Sequence, residues 1–266
     1  ISALTILLVV FWLSKRISQP ISNMYNVSKK IKDGDYSVRN TITSVDEIGA
    51  LGTAINEMSD AIASKNTIQN AISKITRVMI GNNSFEEFTE RLLEQLLEIT
   101  KSQICIVYSY DKESFEYRYF TSIGAKKELF KPFTVDAAEG EFHSAIKKKS
   151  IVYLNNIPEE TNFKYVTSFG HAQVKGIITI PIIIDKEVIG IISLSSIYAY
   201  TPVVYEIIET SWQSINIAYS NLLANQKTQV LAQSLSKTNQ QLEAQTEELQ
   251  DQTEELHDQA NELQRS

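Results

Sequence analysis

GIITIPIIIDKEVIGIISLSSIYAYTP, residues 176–202, is the stretch on which the fold turns. Two runs of β-branched residues, 176–184 and 188–194, flank Asp185-Lys186-Glu187, and this reads as an antiparallel hairpin of central strands. Pro181 lacks the amide that a ladder needs, so an edge or a bulge is expected there. Thr201-Pro202 then caps a last helix that runs past Ser220.

Working back from the hairpin, the texture is mixed α and β. Ser84-Phe85-Glu86-Glu87 is a capping box opening a helix to about residue 100. QICIVYSY (103–110) is strand-like, 111–114 is a turn, and 115–121 alternates as a second strand. A short apolar strand at 150–154 leads into a polar loop, 155–170. Helix, two strands, a variable middle, a loop, a hairpin and a closing helix resemble a GAF domain over about residues 68–222. The resemblance implies a small-molecule sensing fold related to PAS, with its pocket beside the sheet under the middle loop. Ligand-pocket candidates on that basis are Tyr108, Tyr119, Phe163, His143 and His171. The bland alternative is that most of the aromatics, Tyr110, Tyr117 and Phe120 included, simply pack the sheet.

At the other end, residues 1–13 (ISALTILLVVFWL) are almost entirely apolar and stop at Ser14-Lys15-Arg16. Alone the run is short of the roughly 20 residues a spanning helix needs. A truncated transmembrane helix, a signal-peptide core and a buried soluble helix compete for it. A signal peptide carries its basic residues before the apolar run; here they come after it, with Trp12 at the place of an interfacial aromatic. From 15 to 44, Lys15, Arg16, Lys29, Lys30, Lys32 and Arg39 face only Asp33 and Asp35. The positive-inside rule therefore places the residues after about 15 in the cytoplasm, on the inner membrane.

Residues 17–32 have helical spacing, with Pro20 near the start and Ile21, Met24, Ser28 and Ile31 at steps of three and four. Gly34-Asp35 breaks that helix. Asp46-Glu47 opens another, where carboxylates suit the helix dipole. Its Ile48, Leu51, Ile55, Met58 and Ile62 form a heptad seam, continued by Lys65, Gln69, Ile72 and Met79. A narrow seam of this kind buries itself best against a partner helix, which implies a dimeric bundle. Pro20, Gly34-Asp35 and Asp46-Glu47-Ile48-Gly49, in that order, resemble the HAMP domain over about residues 15–66. The resemblance implies a parallel four-helix bundle made by two chains. It assigns signal relay to Pro20, Gly34, Asp46, Glu47, Ile48 and Gly49.

Beyond the last strand, Leu235, Leu242, Leu249, Leu256 and Leu263 recur every seven residues. With leucine at d, the a positions are Ala232, Asn239, Thr246, Thr253 and Ala260, small or polar, so a parallel coiled coil here is weak. The segment resembles the signalling helix between GAF domains and the phosphoacceptor domain of sensor kinases. That implies the input region of a transmembrane sensor histidine kinase, with downstream kinase and response regulator domains as partners. A chemotaxis-type receptor, a nucleotide cyclase or a serine phosphatase can carry the same input.

The expectation is an α+β chain in four parts: the end of a transmembrane helix (1–14), HAMP (15–66), GAF with flanking helices (67–225) and a coiled coil (226–266). No catalytic residue and no metal site is expected. The single Cys105 supports neither a disulfide framework nor a CxxC site, and the net charge of −7 gives nucleic acid no basic patch to meet. His257-Asp258 lacks the proline-containing continuation of a phosphoacceptor motif and sits at position e of the heptad. No cofactor is expected beyond an unidentified small molecule in the GAF pocket; the partners are a second copy and the membrane.

Overall fold

The computed structural model describes residues 2–79, 84–125, 127, 130–161, 164–167 and 170–265. Two compact units divide the chain, Ile1–Lys74 with Thr201–Ile208 and Ile75–Tyr200 with Glu209–Ser266.

In the first unit, α1 (Ser2–Leu13), a π-helical turn (Ser14–Ser18) and α2 (Gln19–Lys32) form one unbroken helical run. Pro20 explains the π turn, because its ring would press on the carbonyl four residues back and its missing N–H leaves that carbonyl without a helical donor. The helix thus continues into α2, and the run Ala3–Lys32 is long and apolar enough to cross a membrane by length and composition. Gly34, at φ +96°, ends α2, and the amides of Asp33, Gly34 and Asp35 close onto the carbonyls of Lys29, Ile31 and Lys30. An irregular connector leads to Asp46, whose Oδ1 accepts from the amides of Ile48 and Gly49 and so caps α3 (Glu47–Val78).

In the second unit, Ser84 Oγ accepts from the amide of Glu87 at 3.1 Å and starts α4 (Phe85–Thr100), whose Phe88, Leu92, Leu93 and Leu96 are fully buried. Burying each is worth about 1.5–3 kcal/mol, which is what holds this helix to the sheet. The strands are β1 (Ile104–Asp111), β2 (Glu116–Ile123), β3 (Phe133–Thr134), β4 (Val152–Asn155), β7 (Gly176–Ile184) and β8 (Glu187–Ser196). They form one sheet in the order β3-β2-β1-β8-β7-β4, and the paired neighbours are antiparallel. Helix α5 (Gly140–Lys148) lies between β3 and β4 in the chain. A separate hairpin, β5 (Lys164–Thr167) with β6 (Gly170–Gln173), occupies part of what the sequence reads as a polar loop. Helix α6 (Pro202–Arg265) closes the chain.

The hairpin β7–β8 forms as its pattern predicts, turning through Asp185 and Lys186, both at positive φ. The prediction for Pro181 is met in both its forms. β4 pairs only with Gly176–Thr179, so β7 has a free edge at Pro181, and the register with β8 shifts between Ile182 and Ile183.

Candidate functional site

Of the residues expected to relay a signal, Asp46, Glu47, Ile48 and Gly49 lie together at the start of α3. Gly49 is there because the connector leaves no room: a Cβ on it would stand 1.6 Å from the carbonyl oxygen of Ser44. Hydrogen bonds from the Ser44 side chain and from the Gly49 and Ile48 amides hold the Asp46 carboxyl below its ordinary value. Farther along, Asn56 Oδ1 accepts from the Asn40 amide at 2.7 Å, and Asn56 Nδ2 donates to the Asn40 carbonyl at 3.0 Å. Ser59 Oγ donates to the Tyr36 carbonyl. The face of α3 carrying Gly49, Gly52 and Ser59 is thus buried within this chain. The adjacent heptad face is not: Leu51 is 54% and Met58 46% exposed. Pro20 and Gly34 stand at the start and end of α2, and Glu47 lies in the first turn of α3.

Tyr108 and Tyr119, expected from the sequence to line a ligand pocket, lie on the α5 side of the sheet, where aromatic rings pack together. Tyr108 of β1 meets Phe133 at 5.0 Å, Phe142 at 5.6 Å and Phe130 at 6.5 Å between ring centres. Phe130 stacks on Tyr119 and Phe133 on Tyr117 and Phe142. Tyr117 is buried, its hydroxyl donates to the Val188 carbonyl at 2.7 Å, and burial pushes its phenol up. Tyr108 and Tyr119 therefore share one cluster. His143 is half-buried on α5, and His171 is in β6 opposite Val166. Phe163 lies outside the described residues. Phe130, Phe133 and Phe142 are what the sequence reading missed; they come from the variable middle, where no periodicity marks them as core.

Residues 82–214, half of the chain, match the family model described as GAF domain. The chain belongs to the GAF domain family. Residues 12–64 match the HAMP domain model. Sensor protein SrrB of Staphylococcus aureus is 35% identical over 81 residues, which cover 27% of this chain and 14% of SrrB. Two solved GAF domains from phosphoenolpyruvate-protein phosphotransferases are also similar. The one from Coxiella burnetii is 16% identical with a TM-score of 0.49, covering 62% of this chain and 97% of that one. The one from Acinetobacter is 14% identical with a TM-score of 0.48, covering 60% and 97%. HAMP and GAF domains, an apolar N-terminal helix and likeness to a sensor protein make this a sensory, signal-relay region. The chain spans about one seventh of the curated relatives it matches.

The GAF sheet is joined to its exit helix by polar contacts that no motif announces. Trp212 Nε1 donates to the Pro181 carbonyl and Asn216 Oδ1 accepts from the Ile183 amide, so two side chains one helical turn apart serve the free edge of β7. Tyr219 packs edge-on against Phe85 and Phe88 of α4 and donates to Thr89. At the start of α6, Asn155 holds Tyr200 through both backbone groups, and the Tyr200 hydroxyl bonds to Ser102. These contacts tie the conformation of the GAF sheet to the path of α6.

Proposed function

We propose that this chain is the signal-relay section of a transmembrane sensor histidine kinase that works as a parallel homodimer. Ala3–Lys32 crosses the inner membrane, with the later residues in the cytoplasm, and α6 delivers the signal to a kinase module that in turn serves a response regulator. The observation that carries the reading is the pair of exposed heptad faces. Leu51 and Met58 on α3 and Leu235, Leu242 and Leu249 on α6 stay open in the single chain, with Leu235 and Leu249 more than 60% exposed. Leaving these five side chains in water forgoes about 1.5–3 kcal/mol each, and a second copy placed side by side recovers it. Movement then passes by a change of packing between two arrangements of similar energy. In the relay, Pro20, Gly34, Asp46, Glu47, Ile48 and Gly49 act at the HAMP joints, and the small a-position residues of α6 keep the coiled coil soft. A small molecule bound by the GAF domain biases the same equilibrium only by its difference in affinity for the two arrangements.

Proline at Met58 breaks the α3 seam at its middle. In the full receptor, Met58→Pro is expected to remove stimulus control of output; a normal stimulus response in that variant would refute the relay. The same input can serve a chemotaxis-type receptor, a cyclase or a phosphatase. Autophosphorylation of the parent protein from ATP decides for the kinase.

A further inference from the structure

A cleft of about 540 Å³ opens at the end of the GAF sheet where the β1–β2 turn, the C-terminus of α5 and the β7–β8 turn come together. Its volume is within the roughly 300–1,000 Å³ of small-molecule sites. The floor is apolar and aromatic. Tyr110 and Tyr117 are tilted against one another at 5.0 Å, and Ile146 and Val188 complete it. The Tyr117 hydroxyl is already spent on the Val188 carbonyl. Two lysines, Lys112 and Lys149, and one carboxylate, Glu187, supply the charge that lines the cleft. Lys149 Nζ is held in place by the Lys186 carbonyl at 2.5 Å. Phe115, also in the lining, is 69% exposed and at φ 59°, a conformation that a bulky residue seldom adopts. The β1–β2 turn, braced by the Asp111 carboxyl accepting from the Glu113 amide and the Ser114 hydroxyl, sets this φ and leaves the ring exposed at the cleft.

We propose that this cleft, at the edge of the aromatic cluster and not within its filled interior, is the ligand site of the GAF domain, and that it takes a small aromatic carboxylate. The ring lies between the half-buried Tyr110 and the exposed Phe115, above the buried Tyr117, Ile146 and Val188, and the carboxylate meets Lys112 and Lys149. The inference rests on the sensory reading of the domain, since a ligand here touches both turns that frame the sheet and so can bias its conformation.

The test is calorimetric titration of the full chain with indole-3-acetate, alongside indole and acetate as its two halves. Saturable binding at one site per chain is expected, about tenfold or more tighter than either half, because ring and charge are recognised by different residues. Lys112→Ala should weaken it about fivefold or more by removing one charge partner. Phe115→Gly should weaken binding while raising the Tm, since it removes both the ring and the strain; a purely structural Phe115 would not separate the two. Absence of saturable binding, indole binding as tightly as indole-3-acetate, or affinity untouched by Lys112→Ala and Phe115→Gly would overturn the proposal. Weakening by Phe142→Leu alone would place the ligand in the interior of the aromatic cluster and also overturn it. None of these outcomes alters the pairing of the heptad faces, which is read by cross-linking.

Discussion

Trp212 donates its indole N–H to the carbonyl of Pro181 at 2.7 Å, so the exit helix closes a ladder position that β4 does not reach. Four residues on, Asn216 accepts from the Ile183 amide at 3.1 Å. A strand edge completed by a helix is a mechanical link: α6 cannot slide along the sheet without breaking both bonds.

Trp212→Phe keeps the packing and leaves the Pro181 carbonyl without its donor. A cost of about 1–3 kcal/mol is expected, the usual loss for an orphaned half-buried acceptor. Hydrogen exchange at Ile183 should quicken in the same variant as α6 loosens. Unchanged exchange there would mean that the bond does not anchor the helix.

The connector makes an equally specific claim. Asn56 meets both backbone groups of Asn40, so Asn56→Ala strips two part-buried groups at once. Faster proteolysis within residues 36–42 is expected, with a loss of about 1–3 kcal/mol in local stability. Gly49→Ala should act more strongly, because its methyl would overlap the Ser44 carbonyl and push the connector off α3. An intact connector in Gly49→Ala would contradict the geometry.

Alkaline pH should weaken the GAF domain. Burial raises the Cys105 thiol above its ordinary 9.0 and the Tyr219 phenol above 10.0. The folded state therefore holds protons that the unfolded chain releases. Stability is complete below about pH 9 and falls as pH climbs past the ordinary values toward the raised ones, by about 1.4 kcal/mol per pH unit for each proton. Thermal unfolding followed by near-ultraviolet circular dichroism from pH 8 to 11 measures the slope, and Tyr219→Phe should reduce it.

Much of the fold was legible in the residues. The β7–β8 hairpin, the Ser84 cap and the long helices α3 and α6 follow from local pattern alone, since each is a periodicity or a side-chain-to-backbone bond within four residues. α5 and the β5–β6 hairpin were not legible, because a polar stretch with scattered aromatics carries no period of two or 3.6. The site divides the same way. Tyr108 and Tyr119 were readable as strand aromatics. That Phe130, Phe133 and Phe142 fill the space above them depends on how distant segments fold back. Trp212 and Asn216 share a helix face, but nothing local says that their targets are Pro181 and Ile183.

The a positions of α6 predict a soft coiled coil. Asn239→Ile replaces a polar seam residue with a β-branched one, and tighter association of the chain by sedimentation is expected. Equal association would remove the argument that the seam is tuned for movement.

Disulfide cross-linking along α6 bears most directly on the paired-receptor account. Cysteine placed singly at Leu235, Leu242 or Leu249 in the full chain should give a covalent dimer at each position, while Ala244→Cys on the outer face should not; Cys105 is fully buried and stays out of the reaction. Cross-linking at all three leucine positions is what parallel, in-register helices require. A monomer at every position, or a cross-link at one end of the series only, would contradict it.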